Sequence, residues 1–137
     1  MNIFAILLAS FIAMGLGMLW YSPNGFGNAW IKAMGWDPKV MAKKMKNSKM
    51  NDMAPTIFAN VVSNIIMFVV LANLIYALTI TSAVTGAFFG LLVWAGFVAT
   101  SSLNPVLWEG KTVKAYLIFN GYSAVMLAVG GAIIAAW

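Results

Sequence analysis

Few side chains in this sequence could carry acid–base, nucleophilic or metal chemistry. The 137 residues include three acids, Asp37, Asp52 and Glu109, and eight lysines, but no histidine and no cysteine. The chain therefore lacks the commonest general base, the thiolate nucleophile and the commonest metal ligands. An enzyme would have to combine Glu109 with a lysine or a tyrosine. We predict a protein that is not an enzyme, and we expect no cofactor and no metal site.

The remaining chemistry is hydrogen bonding by neutral groups inside long apolar segments. Counted at 1.5 Å per residue, these groups lie roughly 12 to 17 Å from one end of their segments, near the middle of a bilayer core of ~30 Å. No titratable group lies at that depth, so a proton relay or an ion-coupled pump would lack its usual groups. A ligand at this depth would be neutral, or bound by its apolar part. The predicted polar layer comprises Ser10, Asn64, Trp94 and Asn120, with Asn60 one helical turn from Asn64.

Two interpretations of this polar layer stay open. The simpler one is a clamp between helices, at about 0.6 kcal/mol per hydrogen bond. The functional one is a small ligand pocket or water path that opens toward the cytoplasm. An unpaired buried amide or indole N–H costs about 1–3 kcal/mol, so the groups are expected to point toward one another. On this basis, Asn64→Leu is expected to destabilise the protein in detergent.

Aromatic rings and helix breakers are concentrated in residues 17–30, GMLWYSPNGFGNAW. Rings at the end of an apolar helix are typical of the membrane–water interface, and Pro23 disfavours continuation of the helix through Ser22. An aromatic belt followed by a turn would explain this segment. The alternative is that aromatic side chains and one acid frame the mouth of the polar pocket. The residues of this predicted mouth are Trp20, Tyr21, Trp30, Trp108 and Glu109.

The elements that must position these groups are four apolar segments, at residues 2–21, 55–78, 82–104 and 112–137. Each has the length of about 20 residues that a helix needs to cross a bilayer. The chain is 63% hydrophobic and 8% charged, whereas a soluble domain has roughly a quarter charged residues. We predict an all-α membrane protein with one domain, residues 1–137, whose four transmembrane helices form an antiparallel bundle.

The lysines predict the orientation of this bundle. Six of the eight lie between Lys32 and Lys49, within the connection 22–54, and two more flank the start of the fourth segment. Both connections lie on the same side of a four-helix protein, so the positive-inside rule places them in the cytoplasm. The expected location is the inner or plasma membrane, with both termini extracytoplasmic.

The connection 22–54 is long enough to hold short helices of its own. Asp37 followed by Pro38 is a typical helix start, after which Val40, Met41 and Met45 share one face. Such a basic amphipathic helix would lie on the cytoplasmic leaflet, although a solvated loop is the alternative. Nucleic acid is not an expected partner, because the sequence has no arginine for bidentate contacts. The residues predicted to contact anionic headgroups are Lys39, Lys43, Lys44, Lys46 and Lys49.

Small residues recur at three- or four-residue spacing in the third and fourth segments. They include Gly86 and Gly90, a GxxxG pair, and Gly121, Ala124 and Ala128. Such stripes let helix backbones approach closely in membranes. They could close the bundle of one chain or join the subunits of a homo-oligomer.

The Gly-x-x-Trp-Tyr-Ser-Pro core of residues 17–23, with Phe26, Gly27 and Trp30, resembles a family of small membrane proteins catalogued as domain of unknown function 1761. A second match is LWEGKTVKAYLIFNGY, residues 107–122. The resemblance covers essentially the whole chain. It implies a four-helix integral membrane protein, mostly bacterial, and it implies no established activity.

Together these observations favour a protein that binds a partner protein or a small neutral or apolar ligand. The alternative is a small oligomeric transporter or channel for a neutral solute, since one bundle of this size leaves little room for a lumen.

Overall fold

The computed structural model describes residues 2–137, apart from the side chain of Met50, and this part of the chain contains helices and no strands. Four stretches are long and apolar enough to cross a membrane: Ile3–Trp20, Asn51–Ala77, Ala83–Trp108 and Val113–Ala136. The number and approximate positions of the predicted apolar helices are therefore confirmed. The elements are α1 (Ile3–Trp20), α2 (Gly27–Ala33), α3 (Pro38–Asn47), α4 (Met50–Ala77), α5 (Ala83–Val93), a π-helical turn (Trp94–Val98), α6 (Ala99–Ser101), α7 (Asn104–Trp108) and α8 (Val113–Ala136).

Helix α4 begins five residues before the predicted start at residue 55. The backbone N–H of Lys49 donates to Oδ2 of Asp52 at 3.2 Å, which caps the start of the helix. Pro55 lacks an N–H, so it removes only the hydrogen bond to the carbonyl of Asn51. Since Asn51 is exposed, water can replace that bond. The proline therefore marks the second turn of α4 and not its first residue.

The third apolar stretch is interrupted, where the sequence predicts one unbroken helix. After α5 the backbone forms the π-helical turn and the single turn α6, and then restarts as α7 with Pro105 near its first position. Proline is tolerated in the first turn of a helix, and it disfavours helical geometry in the residue that precedes the proline. This restart carries the third stretch to Trp108, four residues beyond the predicted end at 104.

The segment between α1 and α4 contains two short helices. The carboxylate of Asp37 accepts a hydrogen bond from the N–H of Lys39 at 2.9 Å, and Pro38 opens α3, as the sequence predicts. No residue of α3 is buried. Val40 and Met45 are 60% and 64% exposed, so this helix presents its apolar side chains to its surroundings.

Helix α8 is the central element, because it packs against α1, α4 and α5, most extensively against α5. A Cβ added at Gly90 would lie 2.1 Å from the carbonyl oxygen of Leu127, and one added at Gly86 would lie 2.3 Å from that of Gly131. Gly86 and Gly90 therefore let α5 pack closely onto α8 within one chain, whereas a Cβ added at Gly121 would meet the ring of Trp20 in α1. Phe68, Leu71 and Leu127 fill the interior beside this contact and are among the most deeply buried side chains.

The first part of α4 stands away from the other helices. Residues 51–60 are all exposed, whereas Asn64, Phe68, Leu71 and Ile75 are buried further along the same helix. The packing of α4 against α1 and α8 is therefore confined to its second half. The first half leaves a gap at the end of the molecule that carries the lysines.

Candidate functional site

Three of the five residues of the predicted polar layer are buried, and within residues 2–137 none of the five hydrogen-bonds to another of them. Ser10, Asn64 and Asn120 are buried, Trp94 is half-buried and Asn60 is exposed. The hydroxyl of Ser10 donates to the carbonyl of Ile6 at 2.8 Å, in its own helix. A serine in a helix reaches the carbonyl four residues earlier more easily than a neighbouring helix.

Asn120 finds its partner in Ser102, a residue that the sequence analysis did not single out. The Nδ2 of Asn120 donates to the Ser102 hydroxyl at 3.0 Å and to the carbonyl of Tyr116 at 2.9 Å. The Tyr116 hydroxyl in turn donates to the carbonyl of Ala99 at 2.8 Å. These bonds fasten α8 to the end of the third stretch. Ser102 was missed because a π-helical turn, which changes the face of every later residue, leaves no clear signal in the sequence.

Two buried donors have no partner in the described part of the chain: Nδ2 of Asn64 and Nε1 of Trp94. The depths of these two donors can be compared through the residues of α8 that each helix contacts. Gly130 packs against Phe68, four residues beyond Asn64, and Leu127 packs against Gly90, four residues before Trp94. At 1.5 Å per residue the two donors lie within about 5 Å of the same level. Two unpaired donors at one depth are costly unless an acceptor reaches them.

The aromatic residues of the opening motif tie α1, α2 and α8 together. Nε1 of Trp20 donates to the carbonyl of Ile118 at 2.9 Å. The ring of Tyr21 packs edge-on against Trp30, with centroids 5.1 Å apart, and against Tyr122 at 5.8 Å. Gly25 and Gly27 permit this turn, because a Cβ on either would lie 2.4 Å from a backbone oxygen of residues 19–21. Trp20 is therefore a packing residue in this structure.

The gap beside α4 forms a cavity of about 360 Å³ between α1, α4 and α8, which we call the α1–α4 cavity. Asn60 comes from α4, Tyr21 from the end of α1 and Tyr122 from α8. The Tyr122 hydroxyl donates to the carbonyl of Ala13 at 2.7 Å, which fixes that ring at the cavity wall. Asn64 lies one helical turn beyond Asn60. The remaining lining residues are Met14, Gly17, Met18 and Ile57.

The α1–α4 cavity carries no formal charge at physiological pH. Burial, together with a smaller contribution from neighbouring Tyr122, raises the pKa of Tyr21 to about 12. Its hydroxyl is therefore protonated far above neutral pH. The cavity thus offers a carboxamide and hydroxyl groups beside methionine and isoleucine side chains.

The other predicted mouth residues lie elsewhere. Trp30 and Glu109 line a second cavity of about 360 Å³ beside α7 and α8, together with Ser102 and Lys111. We call this the α7–α8 cavity. Trp108 is 84% exposed and lines neither cavity. The predicted mouth residues are therefore divided between two cavities, although the rings of Tyr21 and Trp30 pack against each other.

The five lysines predicted to contact headgroups are exposed and follow α3 to the start of α4. Within residues 2–137, no group of three or more His, Cys, Asp or Glu side chains could hold a metal ion. The lysine-bearing surface therefore offers charge and exposed apolar side chains, not a preformed site.

A family model described as "Protein of unknown function (DUF1761)" matches residues 4–135. The chain belongs to this family. The match covers both segments that suggest the resemblance in the sequence, the Trp-Tyr-Ser-Pro turn and the region after Trp108. No curated protein and no solved structure matched the chain.

Proposed function

We propose that the chain is a non-enzymatic, multi-pass membrane protein that holds a small neutral, largely apolar ligand in the α1–α4 cavity. The observation that carries this proposal is the meeting of three neutral polar side chains, Tyr21, Asn60 and Tyr122, from three helices around one cavity. Hydrogen-bonding groups on apolar walls orient a ligand whose body is held by contact. Nδ2 of Asn64, one turn deeper, has no hydrogen-bond partner in residues 2–137, but Asn64 does not line the cavity.

The cavity wall explains why the ligand should be neutral. None of its lining residues is a lysine or an acid. A charged ligand would lose its hydration without gaining an opposite charge, which is costly in a medium of low dielectric constant. A partner protein could satisfy the same groups with an apolar side chain and a backbone carbonyl, and it is the second form of this proposal.

The membrane orientation is part of the proposal. We place α1, α4, the α5-to-α7 stretch and α8 as an antiparallel bundle across the inner or plasma membrane, with the lysine-rich end in the cytoplasm. The exposed Val40 and Met45 of α3 would enter the leaflet, and the nearby lysines would contact anionic headgroups. Both termini would then be extracytoplasmic.

The positions of the acids support a non-enzymatic role. Asp37 caps α3 and Asp52 caps α4, so both have structural partners. Glu109 lines the α7–α8 cavity, and the sequence contains neither histidine nor cysteine to act with it. Glu109→Gln is therefore expected to leave the stability and the α1–α4 cavity unchanged.

A transporter for a neutral solute, working as an oligomer, is the second candidate. A cavity of about 550 Å³ lies at the opposite end of the helices, lined in part by Ala72, Ile75 and Tyr76. The deeply buried Phe68 and Leu71 belong to the core of α4 between this end and Asn60. A solute would therefore cross only if these side chains moved. Flux of neutral solutes into proteoliposomes tests this candidate.

Cysteine labelling tests the α1–α4 cavity, because the chain contains no cysteine of its own. Asn60→Cys is expected to react with N-ethylmaleimide in membranes, since a water-filled cavity lets the thiol ionise. Phe58→Cys is the matched control, because Phe58 is 71% exposed on the same helix and does not line the cavity. Equal, slow reaction at both positions would mean that lipid surrounds Asn60 and that the cavity is not a ligand site.

A further inference from the structure

We propose that the α7–α8 cavity binds a zwitterionic phospholipid with a primary ammonium group, of the phosphatidylethanolamine type. This site is separate from the α1–α4 cavity and does not depend on the function proposed there. Its volume is about 360 Å³, and its rim and its walls differ in chemistry. Glu109 and Lys111 supply opposite charges at the rim, and the walls are mainly apolar.

The charges at the rim match such a headgroup. Within residues 2–137, Glu109 makes no ion pair with a lysine, although Lys111 lines the same cavity. The carboxylate is therefore available for an ammonium group, and the Lys111 ammonium for a phosphate. Helix α8 begins two residues after Lys111, and its N-terminal end adds positive potential on the phosphate side.

The walls match the apolar part of the lipid. Trp30 from α2, Pro105 from α7 and Phe119 from α8 line the cavity below the charged rim. From Val113, two residues after Lys111, helix α8 rises about 9 Å to Phe119. This depth accommodates the glycerol region and the first part of an acyl chain. The hydroxyl of Ser102 on this wall accepts from Nδ2 of Asn120 at 3.0 Å and donates to the carbonyl of Val98 at 2.6 Å, so it leaves no unpaired donor.

The position of the cavity fits a lipid more than a soluble molecule. Trp108, next to Glu109, is 84% exposed, as expected for a tryptophan at the headgroup level of a membrane. A choline headgroup has no N–H to donate to Glu109, and a glycerol headgroup carries no cation to pair with this carboxylate. The ethanolamine headgroup is the one that satisfies both charged side chains.

Native mass spectrometry of the purified protein tests the proposal. The protein is mixed with phosphatidylethanolamine, phosphatidylcholine or phosphatidylglycerol of identical acyl chains, and the retained lipid is counted. Wild-type protein is expected to retain the ethanolamine lipid about ten-fold more strongly than the choline lipid, the ratio that one charge-assisted hydrogen bond provides. Equal retention of these two lipids would refute the proposal.

Variants locate the binding site. Glu109→Gln is expected to abolish the preference for ethanolamine over choline, and Lys111→Gln to weaken retention of both. Lys114→Gln is the matched control, because Lys114 is exposed near the same end of α8 and does not line the cavity. All three positions are exposed, so thermal unfolding is expected to match wild type. A preference that survives Glu109→Gln would show that the lipid binds elsewhere.

Free phosphoethanolamine tests whether the cavity recognises a lipid or a soluble zwitterion with the same charged groups. It carries the same charges without acyl chains, so it is expected to leave the bound lipid in place at equal concentration. Efficient displacement by phosphoethanolamine would mean that the cavity recognises a soluble zwitterion, and the lipid assignment would then be wrong.

Discussion

The contact between α5 and α8 makes the sharpest quantitative prediction. A Cβ at Gly90 would lie 2.1 Å from the carbonyl oxygen of Leu127. Carbon and oxygen normally approach no closer than about 3.3 Å, so Gly90→Ala must move the helices apart by roughly 1.2 Å at this point. A gap of that size forfeits about a quarter to a half of the dispersion energy of the atoms that it separates.

The net effect combines this loss with the helix preference of alanine. Overpacking in a close contact costs about 1–3 kcal/mol, and more where backbone must move, whereas alanine gains about 1 kcal/mol over glycine within a helix. Gly15→Ala isolates the second effect, because nothing lies within 4 Å of a Cβ added at Gly15. Because the helix gain is common to both variants, we expect Gly90→Ala to be less stable than Gly15→Ala by about 1–3 kcal/mol, the cost of overpacking.

Unfolding by sodium dodecyl sulfate in mixed micelles, followed by circular dichroism and tryptophan fluorescence, measures this difference. Size-exclusion chromatography of the same samples reports the oligomeric state. Equal stability of Gly90→Ala and Gly15→Ala would contradict the α5–α8 packing. Loss of an oligomer in Gly90→Ala without loss of monomer stability would place the glycine stripe between subunits, which is the alternative that the sequence left open.

Three further predictions follow from the site and its orientation. The sequence predicts that Asn64→Leu destabilises the protein. In the structure Nδ2 of Asn64 has no partner within residues 2–137, so an unchanged or raised melting temperature in detergent is expected. A clear decrease would mean that this amide makes a stabilising hydrogen bond. The folded-state pKa of Tyr21 is about 12 against an ordinary 10.0, so its contribution to stability is complete below about pH 10 and lost as the pH rises toward 12. Tyr21→Phe should unfold with a weaker dependence on pH across that interval, and identical pH profiles for wild type and variant would contradict the burial of this hydroxyl. Lys43→Cys is expected to react with a membrane-impermeant maleimide only in inside-out vesicles and Thr79→Cys only in intact cells, and the opposite result would reverse the proposed orientation.

The helical composition and the four apolar stretches could be predicted because they depend on local properties of the chain. Segment length and hydropathy specify a helix that can cross a bilayer, and Asp37 and Pro38 specify the start of α3 through contacts within one turn. The lack of histidine and cysteine likewise limits the available chemistry without reference to the fold. Burial of Ser10, Asn64 and Asn120 followed from the cost of exposing polar groups to lipid.

Only the tertiary structure decided which of these polar groups meet. The direction of a side chain depends on the rotation of its helix, and depth along the helix does not specify that rotation. The π-helical turn after Val93 changes the rotation of the third stretch, which brings Ser102 to Asn120 and leaves Trp94 without a partner. Likewise, the separation of the first half of α4 from its neighbours creates the α1–α4 cavity, and it depends on how Phe68 packs against Gly130. Interactions between distant segments set these arrangements, and the local sequence pattern carries no record of them.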